Sequence, residues 1–381
     1  MSGKKKIMLF ADWYEPGFKA GGPIRSCVNF VQYMHAAFDI YVFTSDRDLN
    51  ASSAYKNILS DEWERKGDGI NVYYCSPQKL NWKNIKDQVR AIAPDFIYLN
   101  SMFSKYFTIY PLLINKRQED QAKVILSPRG MLRESALKFK SSKKKIYLDI
   151  FRMFRFHRNI LFHAADETEK NDIHEIFGDH VQVAYVPNFP GRLDESALQI
   201  GKHKDDLLVL FVGRIHPIKN LDYLLRVLGK VQTSVQLTIV GSIEDKSFWQ
   251  DCQSLIDQLP ENISVHYKGE MPNQLLPAVL KEHHIFSLPT KGENFGHAIF
   301  EALSLGKPVL ISDQTPWKNL QPAKAGWCIS LQEPEKFVDA IKEASNWDQE
   351  EYNLWSLNAF NFAKRSIDPI DLQKQYQQLF S

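Results

Sequence analysis

"LLVLFVGRIHPIKNLDYLL" (207–225) is a strand, a loop and a helix written in succession. Leu207 to Val212 are apolar without alternation, as in a strand buried on both faces of a parallel sheet. Gly213 ends the run, Arg214 and Lys219 straddle a short loop, and a helix follows from Asn220 to about Val227. The same unit repeats along the chain. Apolar runs fall at 5–11, 40–46, 70–76, 95–101, 123–129, 160–166 and 181–188, and again at 207–213, 235–241, 263–269, 284–290 and 308–313. Strands alternating with helices predict an α/β protein with doubly wound parallel sheets.

The rhythm breaks once, at the polar "DESALQIGKHKDD" (194–206), and then restarts. This predicts a first Rossmann-like domain over 1–195 and a second over 196–365, facing each other across a cleft where the carboxyl ends of both sheets meet. A length of 381 residues suits two domains. Composition is that of a globular protein, 44% hydrophobic and 24% charged. A net charge of +2 excludes global nucleic-acid binding, so basic function must be local. Cys27, Cys75, Cys252 and Cys328 are scattered without metal-ligand spacing, which suits reduced thiols in the cytoplasm. The basic start "MSGKKKIMLFADWYEPG" reads as a first strand rather than a signal peptide, and no run is long enough to span a bilayer.

Three loops carry phosphate-handling signals. After the first strand, Gly21-Gly22-Pro23 opens a helix; glycines let amides approach an anion, and Pro suits the first turn. A simple tight turn would look the same. In the second loop, Arg214 offers forked donors and Lys219 a compact charge, a combination that suits a diphosphate. Two solvated surface cations are the alternative. The third loop, "TKGENFG" (290–296), enters a helix from about His297 to Leu305, with Gly306 past its end and Pro308 beyond. The free amides near Phe295 to Ala298 can take a phosphate or a sugar hydroxyl. Glu293 in the loop and Glu301 within an apolar helix therefore need separate jobs. Ribose hydroxyls would satisfy Glu301; pairing with a nearby Lys, or the helix dipole, would do so too.

Taken in order, the Gly-Gly loop, G-R-x-x-x-x-K-N and Glu293-x7-Glu301 resemble a retaining GT-B glycosyltransferase of glycosyltransferase family 4, the glycosyl transferases group 1. The resemblance implies a nucleotide-sugar as co-substrate and no cofactor. By it, Arg214 and Lys219 grip the diphosphate, Glu301 holds ribose, and Glu293 lies near the donor sugar. The amides of Asn294, Phe295 and Gly296 reach sugar hydroxyls and phosphate, and Gly21 and Gly22 close on the diphosphate. "HYKGEM" (266–271), with Gly269, Glu270 and Met271, falls where the family contacts the base. A last helix, within 366–381, resembles the family's terminal helix that completes the first domain. Where many members carry His-Gly, this chain has Arg129-Gly130; Arg129 would then face the leaving phosphate or an anionic acceptor, or else pair with Glu134.

The charge chemistry agrees with this resemblance. Fixed cations and helix-end amides stabilise a departing diphosphate. Arg214, Lys219 and Arg129 would supply that charge without a metal, and no D-x-D pair is expected at a strand end suited to hold one.

On the acceptor side, "KFKSSKKKIYLDIFRMFRFHR" (138–158) holds eight Lys or Arg and one Asp. Ile146, Ile150, Met153 and Phe154 form one helical stripe and Arg152, Arg155 and Arg158 another. Such a helix either lies on an anionic membrane, near a polyprenyl-diphosphate-linked or other glycan acceptor, or packs on its own domain. The expected activity is hexosyl transfer in surface polysaccharide synthesis, by a peripheral protein at the cytoplasmic face of the membrane. An inactive nucleotide-sugar sensor or scaffold and a sugar-nucleotide epimerase are the competing readings.

Overall fold

The computed structural model describes residues 3–138, 141–191 and 200–381. It divides into two compact units, 1–189 with 369–381 and 190–368. The first division thus falls just before the polar seam at 194–206.

Unit 1 holds eight strands: β1 (Lys6–Phe10), β2 (Asp39–Ser45), β3 (Trp63–Gly67), β4 (Ile70–Cys75), β5 (Phe96–Leu99), β6 (Lys123–Leu126), β7 (Ile160–Ala164) and β8 (Gln182–Tyr185). Their order is β3-β4-β2-β1-β5-β6-β7-β8. All neighbours are parallel except β3 and β4. β1 is the switch point, flanked by β2 on one side and β5 on the other, so loops leaving β1 and β5 share a crevice. β3, "WERKG", carries no apolar run because it is an antiparallel edge strand, polar and only partly covered. Helix Pro369–Leu379 completes this unit: Tyr376 stacks on Phe189 at 4.4 Å, and Phe380 lies 5.3 Å from Tyr98.

Unit 2 holds β9 (Asp206–Val212), β10 (Ser234–Val240), β11 (Ile263–Tyr267), β12 (Ile285–Leu288), β13 (Val309–Ser312) and β14 (Gly326–Ile329). The order is β11-β10-β9-β12-β13-β14, parallel throughout. Here β9 is the switch point. β14, GWCI, is not among the strands expected from sequence; its apolar run is only Trp327, Cys328 and Ile329. It is held by Trp327, which is buried and stacks on Trp355 at 4.8 Å. Gly241 lets the ends of β9 and β10 converge, since a Cβ there would sit 1.9 Å from the Gly213 carbonyl oxygen.

Asp46-Arg47-Asp48 directly follows β2, a D-x-D at a strand end. Both carboxylates have internal partners. Asp46 accepts from Arg47 Nε at 2.8 Å, and Asp48 accepts from the Phe18 and Leu49 amides at 2.8 Å each. Asp48 thereby fixes the loop leading to Gly21, a positioning task that spacing alone does not reveal.

Candidate active site

The site builds from the two loops that leave the switch point of unit 2. The loop after β9 carries Arg214 and Lys219, and the loop after β12 carries Glu293 to Gly296. Because β9 and β12 are neighbours, the loops latch together. The Lys291 amide donates to the Ile218 carbonyl at 2.7 Å, and Thr290 Oγ1 donates to the same oxygen at 3.0 Å. Asn220 is left-handed, with φ 60°, at the start of helix Leu221–Leu228, and its Nδ2 donates to the Pro289 carbonyl at 2.9 Å.

Into this frame come the charges. Lys219 Nζ pairs with Glu293 Oε1, with both side chains about one-sixth exposed. Two residues singled out separately in the sequence are thus partners. Arg214 Nη1 pairs with Glu244, in the loop after β10. Glu244 has no signal in the sequence, because nothing marks it in "GSIEDKS" (241–247). His216, between the two cations, is held below its usual pKa by burial, partly offset by Glu244, and so is neutral at neutral pH.

The GENFG turn is braced from a third side. The Glu293 amide donates to the Gln314 carbonyl at 3.0 Å, and Trp317 Nε1 donates to the Phe295 carbonyl at 2.5 Å. Gly296, at φ 75°, starts helix His297–Ser304, and no side chain caps it. Asn294 Nδ2 is buried and has no acceptor among the described residues, which leaves a donor available to a ligand. Glu301 is half-buried on the same helix. The segment with Gly269, Glu270 and Met271 extends the sheet past β11: Lys268 and Gly241 bond across it, to the carbonyls of Ile239 and Gly269, at 2.9 Å each.

The remaining sequence candidates lie in unit 1. Gly21, at φ 67°, caps helix Gly22–Met34. Arg129, at φ 55° after β6, does not pair with Glu134. Its Nη2 donates to Asn100 Oδ1 at 2.6 Å and to the Tyr98 hydroxyl at 2.9 Å, and its Nη1 bonds Asn188. Tyr98 in turn meets His163 Nδ1 at 2.7 Å, while His163 Nε2 meets the Val186 carbonyl at 2.7 Å. A carbonyl only accepts, so Nε2 carries the proton and Nδ1 accepts from Tyr98. Burial and the Arg129 charge press the His163 pKa down to about 3. Arg129 is therefore the head of a buried chain. Asp12, after β1, accepts from Ser104 Oγ at 2.9 Å, and burial raises its pKa. It is a second acid at a switch point, with no motif in the sequence to mark it.

Two Rossmann-like units built on parallel sheets are the architecture of the GT-B class. The family model "Glycosyl transferases group 1" matches residues 194–362, so the chain carries a domain of that family, and unit 2 is that domain. Among similar proteins is the uncharacterized 41.2 kDa protein in the cps region of Klebsiella pneumoniae, 25% identical over 75% of this chain and 78% of that one. Another is the UDP-Gal:alpha-D-GlcNAc-diphosphoundecaprenol alpha-1,3-galactosyltransferase of Escherichia coli, 23% identical over 61% and 65%. An uncharacterized glycosyltransferase of Methanocaldococcus jannaschii is 30% identical over 30% of this chain, which spans only 29% of that protein. Anabaena HepE, solved with UDP and glucose, shares the fold at TM-score 0.72 and 14% identity, over 98% and 99% of the two chains.

Proposed function

We propose that this protein is a glycosyltransferase that moves a sugar, with retention, from a nucleoside-diphosphate sugar to a glycan or lipid-linked saccharide in surface polysaccharide synthesis. The observation that carries the reading is the latch at the unit 2 switch point. It sets Lys219, Arg214 and the uncapped start of helix His297–Ser304 at one crevice. Charge that develops on a departing diphosphate meets fixed cations there, and electrostatic preorganisation of this kind usually does most to lower the barrier of such a transfer. Each cation already holds a carboxylate, so it is oriented before the diphosphate arrives. Glu293 positions Lys219 and a sugar hydroxyl, and Glu301 takes the ribose. These side chains meet the leaving charge without calling on a metal. Arg129 belongs to the unit 1 scaffold in this reading rather than to the leaving group.

The donor class also draws support from HepE, which was solved with UDP and glucose, and the acceptor class from the diphosphoundecaprenol-linked substrate in the E. coli relative's name. A peripheral contact of residues 138–158 with the cytoplasmic face of a membrane would bring the enzyme to such an acceptor. The test is a thermal-shift screen with UDP-, GDP- and ADP-sugars. A ligand at 100 times its Kd adds about 2.7 kcal/mol to stability. A flat response to every nucleotide and nucleotide-sugar would rule the donor site out.

A further inference from the structure

A cavity of about 300 Å³ lies at the amino ends of β6, β7 and β8, the edge of unit 1 opposite its switch-point loops. These strands are four or five residues long, so about 13 Å of sheet separates the two edges. Ligands of doubly wound sheets gather at the carboxyl edge, so this cavity is no part of the crevice where such a sheet does its chemistry.

Its lining is one-sided in charge. Lys116, Lys123, Arg155 and Arg158 line it beside the buried Leu112 and Phe156, and no acidic side chain among the described residues does. Glu119 and Asp120 are close in sequence but do not reach it. Lys116, Arg155 and Arg158 are exposed and enter no salt bridge among the described residues. Lys123 donates to the Ser381 carbonyl oxygen at 3.2 Å. An ordinary surface intersperses both signs, because like charges gathered at one place repel.

Two local devices hold these cations together. Asn115 Nδ2 donates to the Ala122 carbonyl, and the Ala122 amide donates back to Asn115 Oδ1, both at 2.9 Å. That pair of bonds closes the loop 116–122 and brings Lys116 and Lys123 to one rim. On the other side, the chain leaving helix Ser141–Met153 turns at Arg155, left-handed at φ 54°. Such a backbone usually falls to glycine or asparagine and is costly for a long side chain. The turn it starts, Phe156–Asn159, carries both arginines to the cavity. Residues strained in this way cluster at ligand clamps. Upstream of the helix, Phe139 and Lys140 lie outside the described residues.

We propose that this cavity is a separate ligand site for a small soluble organic phosphate. Arginine forks grip phosphoryl oxygens in pairs, lysines add point charge, and the apolar wall takes the organic part. Four cations match a ligand with two or more negative charges, as a diphosphate or bisphosphate carries. The site needs neither donor nor acceptor of the transfer reaction and does not depend on the transferase reading.

The experiment is calorimetric titration of the full chain with inorganic pyrophosphate, with UDP present to occupy any diphosphate site in unit 2. Salt is kept at about 0.15 M, where diffuse surface attraction is largely screened. The wild-type chain should bind one pyrophosphate. A charge-assisted hydrogen bond contributes about tenfold or more in affinity, so Arg155→Gln with Arg158→Gln should weaken binding roughly 100-fold, and Lys116→Gln roughly tenfold. All three side chains are exposed, so the ligand-free thermal midpoint and any UDP-induced shift should be unchanged. Arg155→Gly should weaken binding yet raise the ligand-free midpoint, because glycine suits φ 54°. Absence of pyrophosphate binding by the wild-type chain would overturn the proposal, as would wild-type affinity in the arginine double variant. So would binding lost in Lys219→Ala instead, which would place the ligand in unit 2. Binding to phosphatidylglycerol vesicles without binding to pyrophosphate would assign the cations to a lipid surface and overturn it too. A missing UDP shift in every variant would count against the donor site alone.

Discussion

The two units place a cation at equivalent points, just beyond a strand's carboxyl end, and use it in opposite ways. In unit 1, Arg129 turns inward to Asn100, Tyr98 and Asn188. In unit 2, Lys219 and Arg214 remain at the crevice, each held by one carboxylate, Glu293 and Glu244. A half-buried guanidinium bonded by neutral oxygens stiffens a scaffold. A cation balanced by a movable carboxylate at a loop can exchange that partner for a diphosphate. Position in a Rossmann sheet thus nominates a residue, and the partner decides its role.

Substitutions can break this contrast. Lys219→Ala should lower sugar transfer at least about 100-fold, the usual cost of removing one preorganised electrostatic group. The thermal midpoint should fall as well, because Glu293, about one-sixth exposed, loses its cation. Near-normal turnover would remove Lys219 from the site. Arg129→Leu should cost stability and spare turnover. It leaves Asn100, Asn188 and Tyr98 without their donor, so stability should fall by about 1–3 kcal/mol in urea unfolding. If that variant instead kept its stability and lost turnover, Arg129 would return to the catalytic set.

Glu301 gives a smaller, finer test of unit 2. Hydrogen bonds to a charged acceptor contribute about 1.5–3 kcal/mol, so Glu301→Gln should weaken nucleotide binding roughly tenfold or more by calorimetry. The free base and the nucleoside should then bind alike in the variant, since the lost contact is to ribose. An undiminished preference for the nucleoside would place ribose elsewhere.

Much of this was legible in sequence, and the gaps have physical causes. Parallel strands buried on both faces write themselves as unbroken apolar runs, so the interior of both sheets could be read directly. β3 and β14 could not, one being a polar edge and the other an edge strand whose apolar run is only three residues. Arg214, Lys219 and Glu293 stood out because charge at a strand end is rare enough to notice. That Lys219 meets Glu293, 74 positions away, depends on β9 and β12 being neighbours, which no local pattern encodes. Glu244 and Asp48 have ordinary surroundings in the chain and acquire their tasks only from what folds against them. The stripe on 141–153 was visible as periodicity, yet periodicity cannot say which of two faces is buried. Leu148 and Phe151 took the core and left the other strip outside.

The smallest effect tests a feature the units share. His284 in unit 2 repeats the arrangement of His163. Its Nδ1 accepts from the Leu208 amide at 2.9 Å, and its Nε2 donates to the Gly201 carbonyl at 2.9 Å. Burial lowers its pKa to about 4, against about 3 for His163. In the unfolded chain both return to about 6.5, so as pH falls through that value the unfolded state takes up protons that the folded state refuses. Stability is thus full above pH 6.5 and is lost progressively down to the folded values. At pH 6 each histidine should remove about 0.8 kcal/mol relative to pH 8. Hydrogen exchange resolves the two units separately, and both should lose protection by similar amounts. If only unit 1 weakened, the tautomer deduced for His284 would be wrong, because a proton on Nδ1 cannot coexist with the Leu208 amide pointing at it.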